Sequence, residues 1–102
     1  MSANPFEVMQ SEAPQVSKAF FDLIGALSSN GGLDAKTFQL IYIGIKVTQG
    51  QGGSVSAHTA MAKKEGATRE EIRDTILLSL MVCGVDGVAS CLIPALEAYD
   101  NA

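Results

Sequence analysis

The sequence predicts an all-α domain of about five to six helices, and three observations carry that expectation. Apolar residues recur at three- and four-residue intervals along most of the chain, helix-starting and helix-stopping residues stand between those runs, and no alternating apolar-polar segment marks a convincing strand. With 102 residues, 47% of them apolar, the chain has the size and composition of one compact domain spanning 1–102.

Pro14 suits the first turn of a helix, and Val16, Ala19, Phe20, Leu23, Ile24 and Leu27 then follow on one side to an end near Ser28. Asn30-Gly31-Gly32 reads as a loop, after which Asp34 caps a second helix whose apolar face carries Phe38, Ile41, Tyr42, Ile45 and Val47 or Thr48. The Gly50–Gly53 segment reads as an interhelix turn, because no GKS or GKT follows it as a phosphate loop would require. A third helix is expected from about Ser54 to Glu65, with Ala57, Met61 and Lys64 on one stripe and His58, Ala62 and Glu65 on the next, stopping at Gly66.

Thr68 with Glu71 has the spacing of a capping box, in which side chain and backbone of the first turn bond reciprocally, and Ile72, Ile76, Leu77, Leu80 and Met81 follow it. Two glycines and an aspartate within Cys83–Gly87 divide or kink what comes next. A last helix carries Leu92, Ile93, Leu96 and Tyr99, and Pro94 requires either a start near Ala89 or a kink.

Composition excludes several classes of function. Eleven acids against seven bases give a net charge of −4, with no basic run longer than Lys63-Lys64, so nucleic acid is not an expected partner. The apolar stretch Thr75–Ala98 is broken by Ser79, Asp86 and Ser90 and predicts no membrane span. The start Met1-Ser-Ala-Asn-Pro-Phe-Glu has neither the basic beginning nor the apolar middle of a signal peptide, and a cytoplasmic location is expected. Cys83 and Cys91, about 12 Å apart on a continuous helix, lie beyond disulfide reach and are expected to be buried free thiols. A domain this small with several apolar helix faces calls for a partner to cover them, and a homo-oligomer is expected.

His58 is the only histidine. It suits proton transfer near neutral pH, and it equally suits a packed ring bonded to backbone or to Ser54, four residues earlier on the same face. The run Leu40–Ile76, and above all His58-Thr-Ala-Met-Ala-Lys-Lys-Glu-Gly-Ala-Thr-Arg-Glu-Glu-Ile72, resembles the carboxymuconolactone decarboxylase family with its alkylhydroperoxidase D-like branch. The resemblance implies an alkylhydroperoxidase D-like helical domain assembled as a trimer or hexamer, the His58 helix lying near a subunit boundary.

The peroxidase-like branch carries Cys-x-x-Cys-x-x-x-His with a glutamate about twelve residues before the first cysteine. Those positions fall here on Gln51, Ser54, His58 and Gln39, so of the four only the histidine is kept. A dithiol supplies a thiolate nucleophile and a resolving partner, and a glutamate exchanges a proton through the histidine. Gln51, Ser54 and Gln39 can do none of these jobs, which disfavours an antioxidant thiol peroxidase.

The decarboxylase branch keeps the histidine without the dithiol and implies a small anionic or lactone ligand. Lys46, Lys63, Lys64, Arg69 and Arg73 are then the available basic clamps, and His58 is the acid or base. Ser54 activated by His58, and Cys83 approaching His58 from the C-terminal segment, are the two weaker catalytic arrangements. One histidine and two distant cysteines match no zinc spacing, and neither metal nor cofactor is expected. Against all of these stands a member of the family without redox machinery, acting as an oligomeric small-molecule binder.

Overall fold

The computed structural model describes residues 4–102, of which most are helical and none forms a strand. The helices are α1 (Pro5–Glu12), α2 (Pro14–Ser28), α3 (Ala35–Thr48), α4 (Gly52–Lys64), α5 (Arg69–Leu77), α6 (Leu80–Cys83) and α7 (Asp86–Asn101). Six have eight residues or more, while α6 is a single turn. The chain divides into two compact units, the first ending at Gly32 and the second running Leu33–Ala102.

In the first unit, Asn4 caps α1 by accepting a bond from the Phe6 N–H at 2.9 Å, and Pro5 and Pro14 occupy the opening positions of α1 and α2. Phe6, Phe20 and Phe21 pack as one aromatic cluster with ring centroids 5.4–6.2 Å apart. Apart from Ser17, α2 buries nothing: its apolar residues Val16, Phe20, Leu23, Ile24 and Leu27 are all exposed. The expected stripe exists, and it is exposed.

The second unit holds the core. Ile43 and Val47 of α3, Val55, Thr59 and Ala62 of α4, Ile72 and Ile76 of α5, and Cys91 and Ala95 of α7 are fully buried against one another. The closest approach is made by Gly87 of α7. A Cβ there would stand 2.8 Å from both the Cγ1 and the carbonyl oxygen of Val47, so only glycine lets α7 lie this near α3.

Capping fixes where these helices begin and end. Asp34 Oδ1 accepts the Thr37 N–H at 2.7 Å to start α3, and Thr68 and Glu71 form the expected reciprocal box at 3.1 and 2.8 Å to start α5. Helices α3 and α4 both stop in a Schellman motif, a left-handed turn that satisfies the last carbonyls. After α3, Gly50 at φ +67° donates to Val47 and Gln51 donates to Lys46; after α4, Gly66 at φ +94° donates to Lys63 and Ala67 donates to Ala62. At the far end, the Tyr99 hydroxyl donates to the Ala67 carbonyl at 2.8 Å, and Arg69 makes a two-pronged ion pair with Asp100.

Several expectations need correction. Helix α1 was not anticipated, although Asn4-Pro5 is a start signal. Gly52 and Gly53 lie inside α4 and not in the turn, since the Schellman motif at Gly50 reverses the chain within three residues, Gln49 to Gln51. The helix expected to run through Met81 ends at Leu77. Helix α7 begins at Asp86 and carries Pro94 in its interior. Proline cannot donate to the Ser90 carbonyl, and α4 approaches that same carbonyl so closely that a Cβ on Gly52 would stand 2.9 Å from it. Of the two thiols, Cys91 is buried and Cys83 is exposed, both free.

The predicted face of α3 is also corrected. Ile43 and Val47 point into the core, whereas Ile41 and Ile45 are exposed. The helix is apolar on more than one side, so a single helical stripe could not identify which side the core takes.

Candidate functional site

Helices α3 and α4 form an antiparallel hairpin because the turn at Gly50 is so short. Gln39, Tyr42 and Lys46 lie at helical spacing on one flank of α3, and Ser54 and His58 lie four residues apart on α4. The hairpin register sets Tyr42 against Ser54 and Gln39 against His58.

His58 Nδ1 is 2.7 Å from Gln39 Oε1. An amide oxygen only accepts, so the proton of this bond sits on Nδ1 and Nε2 keeps its lone pair. The His58 ring stacks on Tyr42 with centroids 3.7 Å apart and planes 22° from parallel. The Tyr42 hydroxyl is 3.2 Å from Ser54 Oγ, and Lys46 Nζ stands 5.8 Å from the centre of the Tyr42 ring. Burial, and then the positive charge of Lys46, hold the imidazole below its ordinary pKa. His58 is therefore a neutral ring at pH 7, with its acceptor nitrogen uncommitted to Gln39.

Gln39 does what a glutamate would do geometrically but not electrostatically. It orients the ring, and it offers no negative charge to stabilise an imidazolium. Ser54 bonds to Tyr42, and His58 bonds to Gln39 through Nδ1, so each of the two has a partner other than its neighbour. Gln51 precedes the first turn of α4 without capping it through its side chain. The Cys83 thiol, at the end of α6, has the Ser79 carbonyl as its partner at 3.5 Å.

The basic clamps separate clearly. Arg69 pairs with Asp100, Arg73 pairs with its neighbour Asp74, and Lys63 donates to the carbonyls of Tyr99 and Ala102 while lying over the Tyr99 ring. Lys64 is exposed on the outer face of α4. Lys46 is half-buried beside Tyr42, and no carboxylate among the described residues pairs with it.

A second feature lies on another flank of α3: a shallow apolar groove of about 260 Å³ between Ile41, Gly44 and Ile45 on one side and Thr75, Leu78 and Val82 on the other. None of the His58 cluster lines it. Among the described residues no group of three or more metal-ligating side chains stands together, and no helix is long and apolar enough to cross a membrane.

The sequence profile of the carboxymuconolactone decarboxylase family matches residues 14–97. The chain belongs to the carboxymuconolactone decarboxylase family. The crystal structure of an apo protein of this family from Legionella pneumophila superposes with a TM-score of 0.82 at 28% identity, covering 93% of this chain and 84% of that one. An uncharacterized protein of Cupriavidus necator is 27% identical over 82 residues, which are 80% of this chain and 73% of that protein. The family helices are thus present here without the dithiol, Gln51 and Ser54 standing at those positions.

Sequence reasoning had singled out His58 and Ser54, and by resemblance Gln39 and Gln51, but it read Tyr42 as part of an apolar face and left Lys46 among five unassigned cations. The signal was available in the spacing of Gln39, Tyr42 and Lys46 at i, i+3 and i+7. Its meaning required the partner helix, because only the hairpin register brings Tyr42 onto the His58 ring.

Proposed function

We propose that this chain is a non-redox member of the carboxymuconolactone decarboxylase family that binds a small molecule at the His58 cluster. The observation that carries this reading is the Gln39–His58 bond, an uncharged replacement that keeps the ring oriented and neutral where redox chemistry needs a carboxylate and two thiols. Thiol peroxidase activity is disfavoured on the same grounds. A lactone decarboxylase using His58 as acid is less well supported, since the proton on Nδ1 is already given to Gln39 and a depressed pKa leaves little imidazolium at pH 7.

The same reading includes a cytoplasmic homo-oligomer, a trimer or hexamer. Leu78, Met81, Val82, Val85 and Ile93 are each at least 60% exposed, and with exposed Ile41 and Ile45 they give the second unit uncovered apolar residues of the kind a partner surface covers. A second copy of the chain supplies matching apolar surface.

The test is a fragment screen read out on the ¹⁵N-labelled His58 side chain, run beside peroxide and lactone turnover assays. Binding that moves the His58 signals without turnover of either substrate class supports the reading. Reductant-dependent peroxide turnover lost on Cys83→Ser would overturn it in favour of an unexpected thiol enzyme.

A further inference from the structure

We propose that the His58 cluster recognises a hydroxy-carboxylate: Lys46 takes the carboxylate, and the bare Nε2 of His58 accepts the hydrogen bond of a hydroxyl on the same molecule. This deepens the small-molecule reading above and rests on it.

Two features beside the same Tyr42 ring carry the inference: the His58 ring stacks on it, and Lys46 Nζ stands 5.8 Å from its centroid. Gln39 occupies Nδ1, and because its Oε1 can only accept, the tautomer is fixed and Nε2 can offer nothing but a lone pair. A neutral imidazole acceptor has no attraction for an anion and is complemented by an O–H or N–H donor. Lys46 is the opposite case, a half-buried ammonium beside Tyr42 with three donors and no carboxylate partner among the described residues. Of the other four candidate clamps, Lys63, Arg69 and Arg73 have partners of their own, and Lys64 lies on the solvent side of α4.

The same cluster holds the Tyr42 and Ser54 hydroxyls, bonded to each other at 3.2 Å. That bond uses one proton and leaves the second hydroxyl hydrogen available, so the middle of the cluster can donate to an oxygen of the ligand. The ligand that satisfies every group is acidic at one end and a hydroxyl donor at the other. A plain carboxylate leaves Nε2 unpaired on desolvation, and a plain alcohol leaves Lys46 without a counter-charge, each at an energetic cost. Gln39 is in this account a positioning residue, acting on the ligand only through the ring it orients.

The experiment uses the full-length assembled protein labelled with ¹⁵N in its single histidine. The probes are 2-, 3- and 4-hydroxybenzoate, which vary the distance between hydroxyl and carboxylate, together with benzoate and phenol. In the unliganded protein His58 is expected as the Nδ1–H tautomer at pH 7.5. One hydroxybenzoate isomer is expected to shift the Nε2 signal and to bind at least tenfold more tightly than benzoate and than phenol. Lys46→Met is expected to remove most of the advantage over phenol. Gln39→Glu, nearly isosteric, is expected to raise the pKa of His58 and reduce the advantage over benzoate, while Gln39→Met loosens the tautomer without adding charge.

An Nε2–H tautomer, or benzoate binding as tightly as every hydroxybenzoate, overturns the inference. So does a set in which none of the five probes perturbs His58. The wider fragment screen separates the two levels: if other fragments move His58, the binding function stands and only the hydroxy-carboxylate assignment falls, whereas if none does, both fall.

Discussion

Helix α3 presents Gln39, Tyr42 and Lys46 on one flank and Ile41, Gly44 and Ile45 on another, and the two flanks are finished to different degrees by the same chain. On the polar flank, α4 supplies a partner for nearly every group: Gln39 meets His58, and Tyr42 meets Ser54 and stacks on the ring. On the apolar flank the groove is lined by exposed Ile41, Ile45, Leu78 and Val82, and nothing among the described residues fills it. The difference follows from the connections. A three-residue reversal at Gln49–Gln51 forces α4 to lie along α3 in one register, which specifies pairwise polar contacts, whereas the short turn α6 interrupts the segment after α5 and leaves apolar residues facing outward. One flank is thus closed by polar pairing within the chain and the other is left apolar and exposed, and they are the surfaces proposed above for a small molecule and for a second copy.

The largest effect is expected on the apolar flank. Ile45→Asp places a charge in the surface proposed to be shared between copies, and desolvating it on association is prohibitive. The expected outcome is a fall in solution mass toward the 10.7 kDa of the single chain, read by light scattering across a dilution series. An unchanged mass would mean that this flank is not an interface, and the contrast between the two flanks would collapse.

Gly87→Ala tests the remaining, core-facing side of α3. A methyl group would stand 2.8 Å from two atoms of Val47, one of them backbone, so α7 must shift. The expected cost is about 1–3 kcal/mol, read as a lower denaturant midpoint, with only partial recovery when Val47→Ala is added because the carbonyl remains. A neutral substitution would show that α7 is held less tightly than the geometry indicates.

Thr59 sits next to His58 in α4 but points into the core, where its Oγ1 is fully buried with no hydrogen-bond partner. Thr59→Val keeps the shape and removes the unsatisfied hydroxyl, and a gain of roughly 1 kcal/mol in unfolding free energy is expected. It sharpens the comparison, since Gln39, Tyr42 and Ser54 on the polar flank each have a partner and the buried Thr59 hydroxyl has none. A loss of stability instead would mean that the hydroxyl is satisfied in solution by an ordered water.

The smallest effect is the pH dependence of the polar flank. The folded pKa of His58 lies below its ordinary value, so the unfolded chain takes up a proton first as pH falls. Stability is therefore full above about pH 6.5, and it declines as pH drops from there to the folded pKa, where the decline from this group ends. His58→Asn should abolish this part of the profile. The carboxylates of Asp34, Glu71, Asp74 and Asp100, all held below their ordinary values by hydrogen bonds, act only at lower pH. A stability that rises on acidification from pH 7 to 5 would contradict the neutral ring.

How much of this was legible in the sequence depended on whether the signal was local. Pro14, Asp34, Thr68 with Glu71, and Gly66 act within a few residues of themselves, and each marks a helix end where it was expected. The side of α3 that faces the core was not legible, because apolar residues on several sides serve both the core and the uncovered groove. The role of Tyr42 was hidden for a related reason: an aromatic at helical spacing reads as core until the hairpin register puts it against a histidine. Pro94 left a helix start near Ala89 or a kink open; the helix starts earlier, at Asp86, and runs through Pro94, and the Ser90 carbonyl that the proline leaves without a donor is closely approached by Gly52 of α4. Gln39 and His58 were both placed by family spacing, but the sense of the bond between them, with the proton on Nδ1, came from the geometry alone.

The most direct test of the whole account is a crystal structure of the native assembly, which shows both flanks of α3 at once. The account predicts a second copy packed over Ile41, Ile45, Leu78 and Val82, with Nε2 of His58 opening into an enclosed cavity that Lys46 also reaches. An apolar groove left facing solvent in every copy, or an Nε2 already bonded to a protein donor, would contradict it.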